Sequence, residues 1–81
     1  MSADTPLTEA TQSKLDAFVE KYGKETAGAG GDLYQKMRTA GIPREFAIDL
    51  LVKAADGDVT EEDVRILADV VDEFMANLQD A

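Results

Sequence analysis

The chain has 81 residues, carries 8 Lys and Arg against 17 Asp and Glu, and has a formal charge of −9, with no cysteine, histidine or tryptophan. Without Cys and His it has no disulfide, no thiolate metal centre and none of the commonest transition-metal ligand. The excess of acid disfavours non-specific nucleic-acid binding, which rests on cation–phosphate contacts, and disfavours anionic membrane surfaces.

The length indicates one helical domain over residues 1–81 with a thin core, because a chain this short buries only about 60% of the surface its unfolded form exposes. The start, Met1 to Pro6, has neither a basic n-region nor an apolar stretch, and no apolar run approaches the ~18 residues of a membrane span. A cytoplasmic location is expected, in keeping with the absence of Cys.

Helix formers dominate, and no stretch alternates with a period of two. Residues 1–7 read as a frayed start. The first helix is expected over about 8–24, capped by Thr5 or Thr8, with Leu15, Phe18, Val19 and Tyr22 at the i, i+3, i+4, i+7 spacing of one buried face. Ala27-Gly28-Ala29-Gly30-Gly31 reads as a Gly-rich connection over 27–31. Asp32 and Gln35 then form a capping box for a short second helix over about 32–40, and Ala40-Gly41-Ile42 forms a tight turn with Gly41 in the left-handed position.

Pro43 opens a third helix over about 43–55. Phe46, Ala47, Ile48, Leu50, Leu51, Val52, Ala54 and Ala55 surround most of it, leaving Glu45, Asp49 and Lys53 as a narrow polar stripe. Such a helix is expected either at the centre of the bundle or against a second subunit. After the turn Asp56-Gly57-Asp58, Thr60 caps a fourth helix over about 60–79, whose seam is Val64, Leu67, Ala68, Val71, Met75 and Leu78, widened by Ile66, Val70 and Phe74. The fold class is therefore all-α, a small compact bundle of four helices in which the third and fourth form the core hairpin.

Charge is unevenly placed. Residues 1–56 hold 7 bases and 9 acids, whereas residues 57–81 hold one base, Arg65, and eight acids. On the fourth helix Glu62, Asp69, Asp72 and Glu73 fall opposite the apolar seam, and a one-signed stripe of this kind steers a basic partner. The competing reading is a solvated face that keeps the chain soluble.

Other constellations are weaker. Asp56, Asp58 and Thr60 match the first ligand positions of an EF-hand loop, but Glu61 stands where that loop needs Gly and Leu67 where it needs a bidentate Glu. Lys36, Arg38 and Arg44 flank a segment of helix-turn-helix length, yet the start of its second helix would offer Glu45, Ile48 and Asp49 to DNA. A phosphopantetheine-bearing carrier needs Ser within Asp-Ser-Leu at a helix start; the serines here are Ser2 and Ser13, neither in that setting. No catalytic pair or triad and no cofactor site is evident.

The expected function is a non-catalytic protein–protein interaction module or small regulator. It would act through the acidic face of the fourth helix, an apolar groove beside the third, or both, with a DNA-mimic inhibitor as one form. Its partner would be another protein with a basic surface, with no direct nucleic acid and no membrane. The alternatives are an assembly subunit buried in a homo-oligomer, the homodimer being the simplest, and a weak divalent-cation binder using Asp56 and Asp58.

Overall fold

The computed structural model describes residues 7–80, with side chains through Asn77. It holds four helices in the order α1 (Glu9–Tyr22), α2 (Lys24–Thr39), α3 (Arg44–Ala55) and α4 (Glu61–Asp80). Among the described residues there is no strand, so the all-α four-helix expectation holds. Apart from Leu7, the expected frayed start lies outside the described residues, as does the side chain of Leu78.

Thr8 caps α1, its hydroxyl accepting from the Thr11 amide at 3.2 Å. Gly23, at φ 98°, breaks the helix in a single residue, and α2 starts at Lys24. The expected connection over 27–31 is not a connection: α2 runs straight through it, and Asp32 is not a cap but a mid-helix partner of Lys36 at 3.1 Å. Packing explains the difference. Gly28, Gly30 and Gly31 together cost roughly 3 kcal/mol of helix propensity relative to alanine. Against that, bare backbone lets α2 lie almost on top of α4: a β-carbon at Gly30 would stand 2.8 Å from Leu67 Cδ1, and one at Gly31 3.5 Å from Val71 Cγ2. This approach buries Ala27, Tyr34 and Met37 on the same helix. A propensity that is poor locally is overridden by tertiary contact.

The other boundaries follow local chemistry. Gly41, at φ 96°, ends α2, with the Ile42 amide donating back to the Met37 carbonyl at 3.0 Å in a Schellman arrangement. Asp56 takes the left-handed position after α3, at φ 51°. The Thr60 hydroxyl accepts from the Asp63 amide at 3.2 Å and starts α4.

Helix α3 is not the central helix. Both α2 and α4 touch all three other helices, whereas α1 and α3 do not meet. The bundle is a slab 18 Å through its thinnest dimension, with α2 and α4 in the middle and α1 and α3 at the flanks. One core cluster, Tyr34, Met37, Ala47, Ile48, Leu51, Val64 and Ala68, joins α2, α3 and α4. A smaller one, Phe18, Ala27 and Leu67, joins α1, α2 and α4. Because nothing lies beyond α3, its apolar circumference is only half covered: Ala47, Ile48 and Leu51 are buried, while Phe46 is 66% and Leu50 46% exposed.

Candidate functional site

Two surfaces could carry function: the carboxylates of α4 and the outer face of α3. The first is committed elsewhere. Asp72 accepts from the Tyr34 hydroxyl at 2.9 Å on both oxygens and pairs with Arg44 Nη1. Arg44 Nη2 reaches Asp69 at 2.8 Å, and Lys14 stands 3.9 Å from the same carboxylate. Arg38 Nε, buried and without a hydrogen-bond partner, lies 3.8 Å from Asp72. Glu73 takes the Thr8 amide at 2.6 Å and the Thr11 hydroxyl at 2.9 Å, fastening the start of α1 to α4. Thus, of the expected acidic stripe of Glu62, Asp69, Asp72 and Glu73, three have partners within the chain that fasten α4 to its neighbours. Glu62 alone of the four is exposed, with no side-chain partner among the described residues.

The reason is where the sequence places its bases. Asp69 and Asp72 look outward on a wheel of α4 alone, but the crossings of α1, α2 and α3 bring Lys14, Arg38 and Arg44 to that side. One signal pointed there. Arg44 is the first residue of α3, where a cation opposes the helix dipole unless an external carboxylate holds it. Burial works against the charge of Arg44, yet its hydrogen bonds to Asp69 and Asp72 raise it above the ordinary arginine value. Burial pushes the Tyr34 phenol up, and the Asp72 carboxylate adds to the shift.

Helix α1 is tied to α4 at both ends by carboxylates. At its far end Asp63 accepts from the Tyr22 hydroxyl and from Lys21 Nζ at 2.9 Å. The Tyr22 hydroxyl first, then Lys21, holds the Asp63 carboxyl below the usual aspartate range. Similarly the Thr8 amide, then the Thr11 hydroxyl, holds Glu73 below the usual glutamate range. Both groups are more acidic folded than unfolded. Their contribution is therefore complete above the unfolded carboxylate values and is lost as pH falls through the depressed folded ones. We expect α1 to lose amide protection first on acidification below about pH 4. An Asp63→Asn, Glu73→Gln variant should show a flatter decline of melting temperature between about pH 5 and pH 3; an unchanged decline would assign the acid sensitivity elsewhere.

The second surface is the outer face of α3. Phe46, Leu50 and Ala54 are four residues apart and stand one above another, all exposed. Beside Phe46 lies an open recess of about 340 Å³ between α3 and α4, lined by Ile48 and Val52 and by the charged Glu45, Asp49, Glu61 and Arg65. On the other flank Ala54 and Leu51 share a recess of about 550 Å³ with Leu33 of α2 and Val59. Ion pairs cross the rim of the stripe, with two bases for three acids: Arg65 Nη2 reaches Glu45 at 3.0 Å and Glu61 at 2.9 Å, and Lys53 reaches Asp49 at 3.1 Å. Arg65 draws Glu45 below the usual carboxylate range.

A third recess of about 610 Å³ lies between α1 and α2 over α4, where Leu15, Val19, Val70, Val71 and Phe74 line it. Asp56 and Asp58 sit in the α3–α4 turn, the Asp58 amide donating to the Ala55 carbonyl at 2.9 Å. Among the described residues no three acidic side chains converge on a point where a cation would sit. No helix among them is long and apolar enough to cross a membrane. No family model, no curated protein and no solved structure matches this chain.

Proposed function

We propose that this chain is a non-catalytic protein-interaction module that docks through the outer face of α3. The observation that carries the reading is the exposure of Phe46 and Leu50, 66% and 46%, in line on one helix. Single exposed apolar residues are ordinary on protein surfaces. Here two large ones adjoin a small one, Ala54, and recesses flank the row on both sides. Burying each large side chain in a partner contributes roughly 1.5–3 kcal/mol. The carboxylates of α4 support a steering role poorly, since Asp69, Asp72 and Glu73 already have cations or donors within the chain.

The two surfaces separate by salt and by substitution. Captured from native extract on immobilised chain, a partner bound through α3 should survive a rise to about 1 M salt, where exposed charge contacts are screened within about 3 Å. It should be lost on Phe46→Ser, Leu50→Ser and retained on Glu62→Gln, with helical circular dichroism unchanged in both. Retention of the same proteins by the doubly substituted chain would overturn the α3 reading.

A further inference from the structure

We infer that α1 is an exchangeable arm: Gly23 straightens, joining α1 and α2 into one helix, and α1 then docks on the α4 of a second copy. The exchange does not depend on the α3 docking reading, because α1 and α3 do not meet. The joint, the reach of the straightened arm and the chemistry of its seat carry it.

The joint is one residue long. Tyr22 ends α1, Lys24 begins α2, and Gly23 between them holds φ 98° and ψ 158°, a conformation that residues with a side chain rarely adopt. Helical hydrogen bonding runs up to it from both sides. Its amide donates to the Val19 carbonyl at 2.7 Å, and its carbonyl accepts from the Ala27 amide at 3.1 Å. The amides of Lys24, Glu25 and Thr26 are cut off from the carbonyls four residues before them, and Gly23 has no side chain with which to cap them. Turning this single residue to helical angles restores those three bonds and gives a continuous helix over 9–39.

The straightened arm cannot reach its own seat. Helix α1 runs antiparallel to α4, with Tyr22 against Asp63 near the start of α4 and Thr8 against Glu73 further along. Helix α2 runs the other way, with Gly30 against Leu67 and Tyr34 against Asp72. A helix continued backwards from Lys24 therefore leaves the bundle beyond the start of α4, carrying the 14 residues of α1 about 21 Å out.

The seat it vacates is specific for α1. Glu73 loses the Thr8 amide and the Thr11 hydroxyl, and Asp63 loses Tyr22 and Lys21. Leu67 and Ala27 lose Phe18, itself a core residue. The α1 of a second copy restores every one of these contacts, and a two-fold exchange closes both seats. No new surface has to be complementary, because the contact is the one α1 already makes. The balance between the two forms is set by the joint and by concentration. The exchanged dimer presents two copies of the α3 row, which α1 does not touch in either form.

Gly23→Ala removes the residue that the closed joint requires and favours the helix in each of two copies. Sedimentation from about 10 µM to about 1 mM should show this variant dimerising, with a dissociation constant at least about tenfold below that of the native chain. The position of the arm is read within one chain. Gln12 and Gln35 line the same recess in the closed form, but stand about 35 Å apart along a continuous helix. Spin labels on Gln12→Cys, Gln35→Cys, in a chain with no other cysteine and diluted with unlabelled chain, should report the long distance in the Gly23→Ala dimer and a short one in the native monomer. Native chain refolded from urea at about 1 mM should show the long distance in its dimer fraction, and insertion of Gly-Ser-Gly after Gly23 should remove that fraction. A folded, monomeric Gly23→Ala chain overturns the exchange, as does a dimer that keeps the short distance. Should Gly23→Ala not fold, the native pair decides: equal dimer fractions with and without the insertion, or none in either, overturn it.

Discussion

Valine in place of Gly30 should destabilise this protein by roughly 1–3 kcal/mol, the cost of forcing a side chain into the contact between α2 and α4. Alanine in place of Gly28, two residues away, should stabilise it by about 1 kcal/mol. The opposite signs come from the two sides of one helix. Gly30 faces α4, and its would-be β-carbon lies 2.8 Å from Leu67 Cδ1. Leu67 is 4% exposed and packs with Phe18 and Ala27, so turning its Cδ1 into the neighbouring recesses gives up part of that packing. The two methyls of valine would enlarge the clash, and α2 would have to lift from α4. Gly28 has nothing within 4 Å of its added carbon and no positive φ, so alanine there only gains helix propensity. For a domain of this size the Gly30 change should lower the melting temperature on the order of 10 °C. Thermal and urea unfolding followed by circular dichroism would measure both. A neutral Gly30→Val together with a destabilising Gly28→Ala would mean that residues 27–31 form a loop after all.

These glycines also show where reading the chain runs out. The faces of α1 and α4, the left-handed Gly41 and the Thr60 cap are legible because each depends on residues within a turn or two of one another. The helical state of Ala27 to Gly31 depends on Leu67 and Val71, some forty residues on, and a glycine-rich segment has the same composition whether it is a linker or a close-packing stripe. The place of α3 fails for a related reason. Its apolar circumference states how much burial the helix could accept but not how many neighbours the topology supplies, and a slab of four helices leaves it one side short. For the acids of α4, counting charge finds the excess but cannot find the donors. Thr8, Tyr34 and Arg44 lie 65, 38 and 28 residues from the carboxylates they hold. The exposed row of Phe46 and Leu50 was within the sequence as half of an open alternative, centre of the bundle or contact with a second subunit, and only the packing decided against the centre.

Removing the Asp72 carboxylate with alanine should cost roughly 2–3 kcal/mol, whereas the same change at Glu62 should stay within about 0.5 kcal/mol. Both are acids of one helix, and an account in which they serve together as a steering surface expects both to be neutral for folding. The difference lies in what each leaves behind. Tyr34 is 0% exposed, and its hydroxyl donates to Asp72; without that acceptor a buried hydroxyl is stranded, at about 1–3 kcal/mol. Arg44 loses one of its two carboxylates, and Arg38 Nε loses the anion 3.8 Å away. Asp72→Asn keeps an oxygen for the Tyr34 hydroxyl but not the charge that faces the two guanidinium groups, so its cost should be intermediate, about 1 kcal/mol. Phe in place of Tyr34 removes the stranded hydroxyl itself. In the Tyr34→Phe, Asp72→Ala double variant the two losses should therefore fail to add, by more than about 0.5 kcal/mol. Urea unfolding of the four proteins closes the cycle. Equal, negligible effects at Asp72 and Glu62 would return the α4 carboxylates to the surface and with them the electrostatic reading of how this protein meets its partners. A large, non-additive loss at Asp72 leaves the apolar row on α3 as the surface through which a partner has most to gain.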